Sequence, residues 1–303
     1  MSKIAFVYPG QGAQKKDMGK DFFEAGIAFD VASEYLGIDI KNEIITGSDR
    51  LNQTRYTQAA ILAVEIAITD EIIKLGIKPD MTAGLSLGEY AAIYAAGGIE
   101  LGDALKVTAE RGRLMEEAVP SGVGAMTAVL GLTKEEVDEA ISNIDDIWIA
   151  NYNTNTQIII TGKKEKMKEA ILELKAKGSK ICKELNVSGP FHSPLLDRAG
   201  FLLKDSLDEI NFKQLRIPYV SNVTAEPVFN KEEISRLLML QVSNSVKWEQ
   251  SVQFMISQGV DTFIEIGPSK TLTNMIKKIK KDVLLINVET KEDLKDLRGK
   301  INV

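Results

Sequence analysis

Apolar residues fall along this chain in two rhythms. In the first, short apolar runs alternate with longer stretches of helical period. Residues 3–8, KIAFVY, form a nearly unbroken apolar run, the pattern of a strand buried on both faces of a parallel sheet. Residues 57–75, TQAAILAVEIAITDEIIKL, carry apolar side chains at helical spacing and predict a buried helix. Pro79 then punctuates, DMTAG predicts a short strand, LGEYAAIYAA a helix, and LGDALKVTAERGRLMEEA (101–118) an amphipathic helix. Further on, IPYVSNV (217–223), DTFIEIG (261–267) and VLLINV (283–288) predict strands with helical stretches between them. Strands alternating with helices predict an α/β fold around a mostly parallel sheet.

The second rhythm occupies the middle of the chain. GAMTAVLG (124–131) predicts a strand, TKEEVDEAIS a helix opened by a capping threonine, and IWIANYNTNTQIIITG two strands around an Asn-rich turn. KKEKMKEAILELKAKG predicts a charged helix and KICKELNVS (180–188) a last strand. The order β-α-β-β-α-β is that of a ferredoxin-like unit. Residues 122–189 are therefore read as a small inserted subdomain, with 1–121 and 190–303 forming the larger body. No internal repeat or low-complexity segment interrupts either part.

Composition narrows the chemistry. A length of 303 residues fits one large domain, or a large one with an insert, and 44% apolar residues suffice for a sizeable core. No run of about 18 apolar residues predicts a membrane span, and MSKIAFVYPG enters its strand without a cleavable secretory pattern. Cys182 is the sole cysteine, which excludes an internal disulfide and suits a reducing cytoplasm. A net charge of −6 argues against general nucleic-acid binding. With one histidine and one cysteine there is no soft-ligand cluster for a metal.

Three stretches could carry chemistry. Gly84-Leu85-Ser86-Leu87-Gly88 is a G-x-S-x-G pentapeptide with a strand before it and a helix after. A tight strand-to-helix turn leaves no room for side chains beside the serine, exposes its oxygen and aims the Leu87 backbone N–H at a developing negative charge. The same residues could simply start a helix. A reactive serine needs a base near neutral pH, and the one histidine is His192, in VSGPFHSPLL, where the subdomain returns to the body. A lone histidine can equally be structural. The turn YPGQGAQ (8–14) is not a dinucleotide loop, because Lys15 stands where G-x-G-x-x-G needs its last glycine. It is either an ordinary turn after a strand or a second oxyanion donor, through the N–H of Gln11.

PGQGAQ, GLSLGEYAA, RGRLMEEAVP, ANYNTNTQIIITG, GPFHS and IEIGPSKTLT follow one another in this order. In these six motifs the chain resembles the malonyl-CoA:acyl carrier protein transacylases of fatty-acid synthesis from end to end. The resemblance implies an α/β-hydrolase-like body with an inserted ferredoxin-like subdomain. It implies Ser86 as nucleophile, His192 as general base, and the N–H groups of Gln11 and Leu87 as the oxyanion hole. It also implies Arg111 as the receptor of the malonyl carboxylate and the backbone carbonyl of Gln241 as the group that orients the histidine. The chain departs from the family pattern at Leu85, where histidine is usual, and at Ser245, where proline is frequent. The Leu85 side chain is expected to leave the turn away from the serine and to affect packing or acyl contacts. Arg113, two positions beyond Arg111, is expected to be a surface residue paired with glutamate.

The expected reaction is transfer of malonyl from malonyl-CoA to the phosphopantetheine thiol of acyl carrier protein through a malonyl-serine, in the cytoplasm, by a monomer. CoA thioester is a substrate and no cofactor is expected; nor is a membrane or nucleic-acid partner. Acylation is expected to fall as pH drops through the ordinary histidine range of about 5 to 8. Acidic carrier proteins call for a local basic surface, for which NMIKKIKKD (274–282) and GKKEKMK (162–168) are candidates, unless they are merely solvated faces. The alternatives are a serine esterase or thioesterase, which needs an acidic partner for the histidine, and a catalytically silent docking subunit.

Overall fold

The apolar run at the start of the chain, β1 (Lys3–Tyr8), lies inside a six-stranded sheet in a computed structural model that describes residues 2–24, 26–120, 122–187 and 189–301. The other described strands, in chain order, are β2 (Met81–Gly84), β3 (Gly124–Leu130), β4 (Ile147–Thr154), β5 (Gln157–Lys163), β6 (Ile181–Glu184), β7 (Tyr219–Val220), β8 (Pro227–Val228), β9 (Val260–Ile266) and β10 (Leu284–Val288). The large sheet runs β10-β9-β1-β2-β7-β8, parallel except for β8. Side chains of a strand alternate between its faces, and β1 divides accordingly. Ile4, Phe6 and Tyr8 join one apolar cluster with the helices Thr54–Lys74, Gly88–Ala95 and Leu101–Glu117. Ala5 and Val7 join another with Trp248, Val252 and Met255 of the helix Trp248–Ser257 and Leu272 and Met275 of the helix Thr271–Ile279. Helices thus cover both faces, the arrangement expected of an α/β body. Among the described residues no helix is long and apolar enough to cross a membrane.

The second sheet is antiparallel, in the order β4-β5-β3-β6. Its chain order with the helices Lys134–Ile141 and Lys164–Ala176 is the ferredoxin-like β-α-β-β-α-β. Thr133 caps the first of these helices in a capping box with Glu136, as its position in the sequence suggests. One face of the sheet (Val129, Ile149, Ile158, Ile160) packs with these two helices, while Met126, Ala128 and Ile159 from the other face join the core of the body. This inner face is one wall of the cavity described below.

Two strand expectations change in detail. The run 217–223 keeps only two strand residues, because Ser221 accepts from Ala225 N and the chain doubles back into β8. The run 180–188 ends as a strand at Glu184, and its last residue, Ser188, lies outside the described residues.

Candidate active site

β2 ends at Gly84 and the next helix begins at Gly88. A Cβ on Gly84 would lie 1.9 Å from the Gly88 carbonyl carbon, and one on Gly88 would lie 2.1 Å from the Tyr8 oxygen. Glycine is therefore obligatory on both sides of the serine. Ser86 adopts φ 56°, in the left-handed region that side-chain-bearing residues rarely occupy. The turn is held there by Asn222, whose Oδ1 accepts from Ser86 N at 2.7 Å and whose Nδ2 donates to Gly84 O at 2.6 Å.

His192, also at a left-handed φ of 58°, brings Nε2 to 2.8 Å from Ser86 Oγ. Its Nδ1 lies 2.9 Å from the Gln241 carbonyl oxygen. A carbonyl only accepts, so Nδ1 carries the proton and Nε2 is left as the acceptor for the serine hydroxyl. The orienting partner is thus a neutral carbonyl in place of the carboxylate that an esterase triad would supply. Burial, followed by the nearby Arg111 charge, pushes the His192 pKa down to about 4. The imidazole is consequently neutral and competent as a base at pH 7. This corrects the expected pH range: protonation falls near pH 4, below the window of an ordinary histidine.

Arg111 enters from the helix Leu101–Glu117 and is 1% exposed. Its Nη1 donates to Gln58 Oε1 at 2.7 Å, and its Nη2 to Gln241 Oε1 at 2.8 Å and to Ser86 Oγ at 3.1 Å. The guanidinium carbon lies 5.6 Å from the centre of the Tyr90 ring. Among the described residues Arg111 makes no ion pair, although burial disfavours an uncompensated charge. Arg113 differs in the way expected of a surface residue, bonding Glu110 at 2.6 Å and Glu117 at 2.5 Å.

A cavity of about 260 Å³ opens over Ser86 and His192. Gln11 and Leu85 line it from the body, Met126, Asn151 and Gln157 from the antiparallel sheet, and Thr271 from the helix Thr271–Ile279. Among the described residues the backbone N–H groups of Gln11 and Leu87 have no hydrogen-bond acceptor. Leu85 packs beside the cluster of Ala5, Val7 and Ala83 and also lines the cavity. Ser245 Oγ donates to Ile149 O at 2.5 Å and ties the body to β4. The structure therefore brings together Gln11, Ser86, Leu87, Arg111, His192 and Gln241.

Three further residues escaped the sequence reading. Gln58 Nε2 donates to Gln11 Oε1 at 3.3 Å, so one amide joins the glycine-rich turn to Arg111. Asn222 fixes the serine turn, and Glu89 lies fully buried behind Gln241. Their only trace in the sequence is a polar residue set in an otherwise apolar stretch.

A serine bonded to a neutral imidazole under a cavity of about 260 Å³ fits acyl-transfer chemistry, and comparison with known proteins agrees. The chain belongs to the acyl transferase family: the model for the acyl transferase domain matches residues 5–297. It is 39% identical over 303 residues to the malonyl CoA-acyl carrier protein transacylase of Bacillus subtilis (strain 168), covering 97% of this chain and 96% of that one. The crystal structure of MCAT from Streptococcus pneumoniae superposes with a TM-score of 0.93 at 42% identity, over 99% of this chain and 100% of the other. A malonyl-transacylase solved in complex with its type II PKS acyl-carrier protein superposes with a TM-score of 0.94 at 35% identity, over 100% of both chains. The chain is an acyltransferase with an α/β-hydrolase-like body and a ferredoxin-like subdomain.

Proposed function

We propose that the chain transfers malonyl from malonyl-CoA to the phosphopantetheine thiol of an acyl carrier protein, in cytoplasmic fatty-acid biosynthesis, through a malonyl ester on Ser86. The observation that carries this reading is a buried guanidinium that makes no ion pair among the described residues, 3.1 Å from the oxygen of a serine that is itself bonded to a histidine. Such a site accepts a thioester whose acyl group ends in a carboxylate.

The steps follow from the donors and acceptors. His192 Nε2 takes the Ser86 proton as Oγ attacks the thioester carbon. The tetrahedral oxyanion is received by the N–H groups of Gln11 and Leu87, and the second of these heads the helix Gly88–Ala95. Collapse expels CoA as thiolate, which recovers the proton from His192. The carrier-protein thiol then gives its proton to His192 and attacks the ester, and Ser86 leaves with that proton. Base, nucleophile and oxyanion donors are all protein groups, so the chemistry asks for no metal or redox cofactor. The subdomain, read as residues 122–189, supplies Met126, Asn151 and Gln157 to the cavity wall opposite the body, read as 1–121 and 190–303, and one copy of the chain holds every group named.

Incubation with malonyl-CoA followed by intact mass measurement tests the reading. A stable malonyl adduct that is discharged by holo-carrier protein supports it; a fleeting adduct with release of free malonate indicates a hydrolase, and no adduct indicates a silent subunit.

Selectivity should reside in Arg111. At an effective dielectric near 20 and a separation of about 4 Å, two unit charges attract by about 4 kcal/mol. Removing one partner of a buried pair typically costs about 2–5 kcal/mol. Arg111→Ala is therefore expected to lower kcat/KM for malonyl-CoA by at least about 30-fold while acetyl-CoA holds level or gains. Arg111→Lys should rescue only in part, because one ammonium cannot hold the separate acceptors on Gln58 and Gln241. Equal losses for the two thioesters would assign Arg111 to the fold or to CoA.

For the carrier protein, the stretch after Thr271 is the better docking surface. Among the described residues Lys277, Lys278, Lys280 and Lys281 make no ion pair, and Lys278 Nζ donates to Gln157 at the cavity rim. In the other candidate stretch Lys163, Lys164 and Lys166 are paired with Asp146, Glu184 and Glu169. Reversing the charge of Lys277 and Lys278 is expected to raise KM for carrier protein several-fold and to disturb acylation by malonyl-CoA far less. An unchanged carrier-protein KM moves docking elsewhere.

A further inference from the structure

Glu89 follows the nucleophile by three residues and is fully buried, yet no step above uses it. Its Oε2 accepts from Gln241 Nε2 at 2.7 Å and from the Asn222 backbone N–H at 3.3 Å. Gln241 is where the groups of the site meet. Its backbone carbonyl accepts from His192, its Oε1 accepts from Arg111, and its Nε2 donates to both Ser86 O and Glu89. The amide dipole therefore lies between a cation and a carboxyl group, oxygen toward the first and N–H toward the second. An ionised group at each end strengthens both bonds.

We propose that Glu89 is a positioning residue that acts on Arg111 through the Gln241 amide and sets how strongly the guanidinium draws a carboxylate-bearing acyl group. The inference rests on the malonyl-transfer reading above. When Glu89 is ionised, the relay Glu89–Gln241–Arg111 offsets part of the arginine charge, and an incoming carboxylate meets a weakened receptor. When Glu89 is neutral, its carbonyl oxygen still accepts from Gln241, so the geometry holds while the full arginine charge faces the substrate.

The groups around Glu89 leave it as the one that changes charge near neutrality. Arg111 faces it from the helix Leu101–Glu117, Tyr90 from its own helix and Tyr219 from β7, with His192 on the far side of Gln241. Burial holds both tyrosines neutral, above their ordinary range, and holds His192 near 4. Burial raises Glu89 to about 7 against the opposing bonds from Gln241 and Asn222 and the Arg111 charge. The sign follows directly. Glu89 gains its charge as pH rises through 7, so preference for malonyl over acetyl must be greatest on the acid side and decline on the alkaline side.

The test is the rate of Ser86 acylation by malonyl-CoA and by acetyl-CoA, followed by intact mass from pH 6 to 8. Phosphates of CoA titrate identically in both thioesters and cancel in the ratio. In the wild type the malonyl-to-acetyl ratio is expected to fall by at least about fivefold across this range, the lower end of usual couplings between sites. In Glu89→Gln the ratio should be flat and no lower than the wild-type value at pH 6. A flat wild-type ratio overturns the proposal without recourse to any variant. So does a slope that survives in Glu89→Gln, and so do equal, pH-independent losses for both thioesters, the mark of a merely structural residue. Failure of wild type to form a malonyl adduct at any pH overturns instead the transfer reading on which the proposal stands.

Discussion

Ser86→Ala is expected to abolish the covalent malonyl adduct and all transfer to carrier protein while leaving the fold intact. The hydroxyl receives a hydrogen bond from Arg111 and meets His192, but the turn itself is held by other atoms. Asn222 grips the backbone N–H, Gln241 donates to the carbonyl, and the two glycines make the close approach. Alanine retains all of these contacts. Intact mass after incubation with malonyl-CoA, paired with a thermal melt, measures both halves of the expectation. An adduct on another residue of the folded variant would refute the assignment of the nucleophile.

The second large effect belongs to His192. His192→Ala removes the group 2.8 Å from Ser86 Oγ and should slow acylation by roughly 10² to 10⁴, the usual worth of a positioned general base. Among the described residues no carboxylate stands behind Nδ1, and the Gln241 carbonyl can orient the ring without adding charge. The pH profile sharpens this. With its pKa pushed down to about 4 by burial and by Arg111, the neutral imidazole persists throughout the ordinary histidine range. The rate of the histidine-dependent step should hold level from pH 8 down to about 5, then drop as pH falls through about 4. A decline centred near 6.5 with chemistry limiting would mean that the ring is hydrated and distant from the guanidinium.

Local sterics and burial patterns left a clear trace in the sequence; long-range partnerships did not. The glycines around Ser86 are legible because they answer to backbone atoms a few residues away or on the neighbouring strand. His192 is legible because the chain offers no rival. The parallel strands are legible where most of their residues are buried on both faces, as in β1 and β9. By contrast, IPYVSNV loses its polar end to function: Asn222 leaves the strand to serve a serine 136 positions away. β8, two residues long, is too short to carry any period. Gln58 meets Arg111 across 53 positions and Glu89 meets Gln241 across 152, and nothing in the helices that carry them announces either partner. The reach of the basic stretch to the cavity rim through Lys278 and Gln157 spans 121 positions and is equally silent in the sequence.

The left-handed backbone at both Ser86 and His192 carries a consequence for how such a protein changes under mutation. Residues held in that region cost of order 1–3 kcal/mol each, and a folded domain of ordinary stability has only about 5–15 kcal/mol in all. Glycine would relax either position and would be inert. Drift toward greater stability therefore points, at these two positions, toward extinction of activity, and a stabilised lineage that lost the need for acyl transfer would be expected to shed them first. Activity in this fold persists only under continuous selection, against the conformational preference of the two residues that perform it.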